Sequence, residues 1–280
     1  MSPLLNLVAQ GSAVTPALAE KLAAMCAAKR VEQIQPTAWR LHGVARSKEV
    51  SAYCMQHALD HAWVPGGRRF SDFGLLAMDM DSTLITIECI DEIGGMLGIK
   101  AEIAAITAQA MRGEIDYPIS LRKRVALLAG LGVEALELVY SEKLQLSPGA
   151  EQLVTHARGL GVRTLLVSGG FTFYTDKLKQ RLSLDDTLSN VLEIDAGKLT
   201  GRLSGPIVDG AAKAARVVEL ARTLGLDRER IIAIGDGAND LPMFAQAGVS
   251  VAYRAKPVVR AQATCSLDHS GLDGVLNLFE

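Results

Sequence analysis

Three stretches of this chain constrain its fold more than any others. FGLLAM (residues 73–78) runs into DMDST, VRTLLV (162–167) into SGGF, and RIIAI (230–234) into GDGAND. None of the three alternates apolar with polar residues. A strand wetted on one face alternates, whereas a strand covered on both faces by helices does not. The pattern predicts three buried strands of a parallel α/β sheet. Ligands in such sheets sit beyond the carboxyl ends of the strands, where the strand order switches. All three polar, glycine-rich clusters fall at that end.

The remaining segments are arranged around this frame. Some 60 mostly helical residues, about 88–147, separate the first strand from the second. That is too long for an ordinary crossover, and it reads as an inserted helical cap. VLEID and LTGRL (191–203) predict a β-hairpin turning near Gly197. Before residue 73 the order is a strand (4–10), a helix (16–29), two strands (31–35 and 38–44, with Pro36 between), a helix (47–62) and a short strand through Trp63 and Val64. This β-α-β-β-α-β order fits a small ferredoxin-like unit, with Trp39 and Trp63 in its core. The turn-rich PGGRRFSD (65–72) reads as a linker or domain boundary, giving units 1–70 and 71–280.

Composition narrows the function. The 280 residues are 49% hydrophobic with a net charge of -2, so neither nucleic acid nor an anionic membrane is expected as main partner. The basic run Arg122-Lys123-Arg124 is too short to change that. Cys26, Cys54, Cys89 and Cys265 are scattered, which argues against a zinc site and for reduced thiols in a cytoplasmic protein. No signal peptide or membrane span is expected. None of His42, His57, His61, His156 and His269 falls in a catalytic-looking cluster.

Asp79 and Asp81 stand two apart behind a buried strand, with the hydroxyls of Ser82 and Thr83 next. In extended backbone, residues i and i+2 point the same way, so both acids would face one pocket. Two close carboxylates repel unless a cation or a shared proton compensates. The plainer reading, that they end a strand and cap a helix, is equally open for an isolated pair. Gly235-Asp236-Gly237-Ala238-Asn239-Asp240 adds two acids, the oxygen donors Mg²⁺ prefers, although such dipeptides are also ordinary turns. Ser168-Gly169-Gly170 can offer a hydroxyl and backbone N–H groups to an anion. Lys213, in a helical stretch, taken alone reads as a surface lysine. Together the set supplies the parts for moving a phosphoryl group through an aspartyl-phosphate.

In this order DMDST, the serine of VSGG, Lys213 and GDGAND resemble the four motifs of the haloacid dehalogenase-like hydrolases, over roughly 73–275. Within that superfamily the chain is similar to the phosphoserine phosphatase family. DMDSTLITIE matches with Glu88, MRGEIDYPISLRKRV (111–125) with Met111 and Arg124, and GDGANDLPMFAQAG and AYRAKP follow suit. Tyr117 departs from the pattern, standing where a phenylalanine is expected.

Separately, the element order of the N-terminal unit resembles an ACT-like fold; such units pair edge to edge, and a homodimer through it is expected. The phosphatase resemblance implies a Rossmann-like parallel sheet with a helical cap insertion. It implies hydrolysis of O-phospho-L-serine, the last step of L-serine biosynthesis. Asp79 would be the nucleophile and Asp81 the acid, then base. Mg²⁺ would be held by Asp79, the Asp81 carbonyl and Asp236, with Asp240 behind them. Ser168, Gly169, Lys213 and Asn239 would bind the phosphoryl group, Glu88 the ammonium and Arg124 the carboxylate of the substrate. Two alternatives stay open. One is a phosphatase or phosphotransferase for another small phosphate such as phosphothreonine. The other is a non-enzymatic amino-acid sensor, against which the retention of every motif carboxylate argues. Removal of residues 1–70 is expected to leave the chemistry intact.

Overall fold

In the computed structural model, which describes residues 5–280, the expected N-terminal strand is β1 (Leu5–Gln10); residue 4 lies outside the described residues. It is followed by α1 (Pro16–Met25), β2 (Arg30–Gln35), β3 (Ala38–Val44), α2 (Lys48–Gln56) and β4 (Asp60–Pro65). The four strands form an antiparallel sheet in the order β2-β3-β1-β4. Leu7, Leu22, Leu41, Val50 and Cys54 join strands and helices into one small core, with Trp39 and Trp63 packed against it. Two boundaries differ from expectation. The first helix stops at Met25 rather than 29, and the second at Gln56 rather than 62. In each case an alanine in the left-handed region, Ala27 (φ 49) or Ala58 (φ 53), turns the chain.

The segment 65–72 is not a free linker. Phe70 is buried, and its ring meets Phe279 edge to face at 5.5 Å, while Phe73 meets Phe279 at 4.8 Å. The N-terminal unit also grips the end of the chain. The buried Asp60 carboxylate accepts hydrogen bonds from the N–H groups of Asp268 (2.7 Å), His269 (3.0 Å) and Ser270 (2.7 Å). Gln10 Nε2 donates to the Gly274 carbonyl at 3.0 Å, and the Arg40 guanidinium donates to the carbonyls of Asn277 and Phe279. Asp60→Ala would strand three backbone donors, each of which was held by a charge-assisted bond. It is expected to lower unfolding stability by about 3 kcal/mol. Urea denaturation checks this; an unchanged midpoint would show the clamp to be idle.

The larger unit contains β5 (Leu75–Met78), α3 (Cys89–Met96), α4 (Lys100–Met111), α5 (Tyr117–Ala126), α6 (Val133–Leu138), α7 (Ala150–Gly159), β6 (Arg163–Phe171), α8 (Thr172–Leu182), β7 (Asp186–Asp195), β8 (Lys198–Ser204), α9 (Gly210–Thr223), β9 (Ile231–Gly235), α10 (Leu241–Phe244), β10 (Val249–Tyr253), α11 (Pro257–Arg260) and β11 (Cys265–Leu267). Its seven strands run β11-β10-β9-β5-β6-β7-β8, parallel throughout except for the antiparallel β7–β8 pair. All four residues of β5 are fully buried. Leu76 and Met78 enter the core on one face of the sheet, Leu75 and Ala77 the core on the other. That two-sided burial is the reason the strand carries no polar alternation.

β5 pairs with β6 on one side and β9 on the other. The strand order therefore reverses beside β5, and the carboxyl ends of β5, β6 and β9 converge on one crevice. The helices α3 to α6 form the expected insertion. The hairpin turns at Ala196 and Gly197, both at positive φ. Strand β6 runs on through Ser168-Gly169-Gly170 to Phe171, so the glycines belong to the strand end rather than to a loop.

Candidate active site

Extended backbone at Asp79 and Asp81 turns both carboxylates into the crevice. Between them and the cap lies a cleft of about 890 Å³, lined from the cap by Glu88, Met111, Tyr117 and Arg124 and from the strand ends by Ser168, Gly169, Asp236 and Asn239. Tyr117, Leu121 and Arg124 share one face of α5, three, four and seven residues apart. Among the described residues the buried guanidinium Nε of Arg124 has no hydrogen-bond partner, and neither has the buried hydroxyl of Ser120 beside it.

Lys213 is not the surface residue its helix implied. It is fully buried in α9 beneath the cleft, with Nζ 2.7 Å from Asp79 Oδ1 and 2.8 Å from Asp240 Oδ1. Burial alone would lower its pKa, but the carboxylates of Asp240 and Asp79 outweigh that and hold the ammonium above the usual lysine range. A buried charge of this kind is tolerable only when paired and hydrogen-bonded. The second oxygen of Asp240 accepts the Gly237 N–H at 3.0 Å, so both of its oxygens are engaged.

The other acids are arranged differently. Asp79 also accepts the Met80 N–H at 2.7 Å. Its carboxyl is pushed well above the ordinary range, first by burial and then by the charge of Asp240, against the pull of Lys213. Asp81 accepts the Cys89 N–H at 3.2 Å, and burial followed by the nearby Glu88 raises it to about 7. Glu88 is raised by burial, opposed by a 2.7 Å hydrogen bond from the Ser82 hydroxyl. Asp236 accepts the Thr83 hydroxyl at 3.1 Å and is raised to about 7 by burial, then by Asp240.

Seven carboxylates, six lining the cleft and Asp240 beneath it, are thus set against three cations, Lys213, Arg124 and Lys256. Carboxylate oxygens of Asp79, Asp236 and Asp240 lie within 4.8 Å of one another. With Asp240 saturated by Lys213 and Gly237, Asp79 and Asp236 are the two free to turn toward a cation. An all-oxygen donor set with excess negative charge fits a hard divalent ion. Such an ion competes with the protons that the raised acids retain. Its affinity is therefore expected to fall as the pH drops through about 7, by up to about tenfold per unit for one displaced proton. Calorimetric titration of Mg²⁺ at pH 6 and pH 8 checks this; equal affinities would contradict it.

Asp79, Asp81, Glu88, Arg124, Ser168, Gly169, Asp236 and Asn239 line the cleft, and Lys213 and Asp240 lie beneath it. In the sequence the hydroxyls of Ser82 and Thr83 stand out only as a pair following DMD; in the structure they donate to Glu88 and Asp236. Asn190 on β7 carried no signal. Its amide donates to the Gly169 carbonyl at 2.8 Å and accepts the Val208 N–H at 2.8 Å, a role visible only once the strands are assembled.

The fold and this arrangement of strand-end acids define a class. Residues 76–245 match the haloacid dehalogenase-like hydrolases, and the chain belongs to that family. Residues 7–50 match a domain of unknown function. Among related sequences, a phosphoserine phosphatase from Albidiferax ferrireducens is 52% identical over 217 residues, covering 76% of this chain and 92% of that protein. Among solved structures, a haloacid dehalogenase family hydrolase from Salmonella enterica serovar Typhi is 32% identical with a TM-score of 0.89, covering 99% of each chain. A probable phosphoserine phosphatase from Vibrio cholerae is 37% identical with a TM-score of 0.86, covering 98% of this chain and 86% of that one. Among the described residues no helix is long and apolar enough to cross a membrane.

Proposed function

We propose that this chain is a phosphatase that hydrolyses O-phospho-L-serine to L-serine and phosphate, the closing step of serine synthesis. The observation that carries the reading is the pairing of two chemistries across one cleft. The strand ends hold Asp79, Asp81, Lys213 and Asp236, while the cap presents Glu88 and an Arg124 whose buried Nε has no partner among the described residues. The first set handles a phosphoryl group, the second an amino acid. The phosphoserine phosphatase relatives support the same substrate.

In this reading Asp79 attacks phosphorus, and the bond to the serine oxygen breaks. Asp81, held protonated near neutrality by burial and Glu88, donates its proton to that oxygen. Asp81 then takes a proton from water, which attacks the phosphorus of the acyl phosphate and frees Asp79 and inorganic phosphate. Ser168, the Gly169 N–H, Lys213 and Asn239 hold the phosphoryl oxygens, and such preorganised donors contribute about 3 kcal/mol each. Asp79, the Asp81 carbonyl and Asp236 would hold Mg²⁺, which supplies neutralisation between the attacking carboxylate and the phosphate. Glu88 pairs with the substrate ammonium and Arg124 with its carboxylate.

We assign residues 1–70 to an ACT-like unit that pairs two copies and 71–280 to the phosphatase unit with its cap at about 88–147, in a cytoplasmic enzyme. The contacts of Asp60, Arg40 and Gln10 add a stability cost to the expectation that a chain lacking residues 1–70 keeps its chemistry. The substrate test is phosphate release from O-phospho-L-serine, phosphothreonine and p-nitrophenyl phosphate, with Mg²⁺ and with chelator. Mg²⁺-dependent preference for phosphoserine is expected. Equal rates on all three would remove Glu88 and Arg124 from selectivity, and no turnover of any would return the chain to a sensor.

A further inference from the structure

The strand end that carries Ser168 has a conformational problem. A side chain at Gly169 or Gly170 would crowd the site: a Cβ at Gly169 would lie 2.2 Å from the Tyr117 hydroxyl, and one at Gly170 would lie 2.6 Å from the Met80 side chain and 2.9 Å from Asp81 Oδ2. Two consecutive glycines leave the peptide between them with the widest choice of orientation. That peptide nonetheless determines what Ser168 can do. Its N–H, on Gly170, donates to Ser168 Oγ at 2.9 Å. A hydroxyl whose lone pair is taken this way must send its own hydrogen elsewhere. Among the described residues that hydrogen finds no acceptor, and Ser168 lines the cleft.

The carbonyl of the same peptide, on Gly169, is held from two sides. Asn190 Nδ2 donates to it at 2.8 Å from β7, and the Tyr117 hydroxyl at 3.2 Å from the first turn of α5 in the cap. Asn190 is itself fixed by the Val208 N–H just ahead of α9, the helix that carries Lys213. Two donors on one carbonyl fix the plane of its peptide and strengthen the N–H at the other end.

We infer that Tyr117 and Asn190 are positioning residues for the anion-binding strand end: by clamping the Gly169 carbonyl they set the Gly169–Gly170 peptide so that Ser168 is forced to act as a hydrogen-bond donor to a tetrahedral phosphoryl group. Because Tyr117 sits on the cap and Asn190 on the sheet, docking of the cap completes the clamp. The inference rests on the phosphatase reading only in taking phosphate as the anion.

A double-mutant cycle tests it, read both as kcat and as the dissociation constant of inorganic phosphate in the presence of Mg²⁺. The second readout needs no turnover, so the cycle stands even if phosphoserine proves the wrong substrate. Tyr117→Phe removes one neutral hydrogen bond and is expected to weaken phosphate binding and lower kcat about fivefold. Inhibition by L-serine, which engages Glu88 and Arg124 but not the phosphoryl site, is expected to stay unchanged. In a Ser168→Ala background Tyr117→Phe is expected to have no further effect, because the hydroxyl it positions is gone. Asn190→Asp, which keeps the acceptor for Val208 but loses the donor to Gly169, should behave alike. Losses that multiply across the cycle, a parallel weakening of L-serine inhibition, or no effect of Tyr117→Phe in the Ser168 protein would each overturn the assignment.

Discussion

Asp79→Asn is expected to abolish turnover while leaving the fold as stable as before, or more so. The amide keeps an oxygen for the Met80 N–H and for Lys213, so the hydrogen bonds that seat the side chain survive. The change also removes a buried acid that crowds Asp240 and Asp236. An amide oxygen is no nucleophile, and loss of the attacking group in enzymes that work through a covalent intermediate lowers kcat by on the order of 10⁴-fold or more. The measurement is steady-state phosphate release beside thermal unfolding of both proteins. Substantial remaining activity in a folded variant would displace Asp79 from the attack.

Arg124→Ala is expected to act on selectivity. Its guanidinium lines the cleft from α5, in line with Tyr117, and its buried Nε lacks a partner. A planar fork left unsatisfied in a cleft is suited to receive a carboxylate through two parallel bonds. Truncation should lower kcat/KM for O-phospho-L-serine about a hundredfold. For O-phosphoethanolamine, which has the ammonium and the phosphate but no carboxylate, the same truncation should change little. Equal losses on the two esters would mean that Arg124 supports the cap and does not read the carboxylate.

Much of the site was legible because a strand end and its cluster are adjacent in sequence. FGLLAM and DMDST locate each other, as do RIIAI and GDGAND. Lys213 was not legible in this way. Nothing in its helix distinguishes a buried ammonium from a solvated one, and only assembly of the sheet brings Asp79 and Asp240 to it. Asn190 is a stronger case, an amide within a hairpin strand whose partners lie 21 and 18 residues away. The helices end at 25 and 56, short of the expected 29 and 62, for a local reason. Chains usually leave a helix through a glycine, which tolerates positive φ. Here Ala27 and Ala58 take that conformation, and the sequence carries no mark of the stop. The glycines of 65–72 signal the turn between the two sheets, but not that Phe70 anchors the segment against Phe279.

The most direct test of the central claim is to trap the covalent species. Wild-type protein with Mg²⁺ and O-phospho-L-serine would be quenched in acid within the first turnovers and its peptides weighed by mass spectrometry. The account predicts one phosphoryl group on the peptide containing Asp79, absent in Asp79→Asn and absent when chelator replaces Mg²⁺. Rapid phosphate release with no phosphorylated peptide, or a phosphoryl group on any other residue, would contradict it.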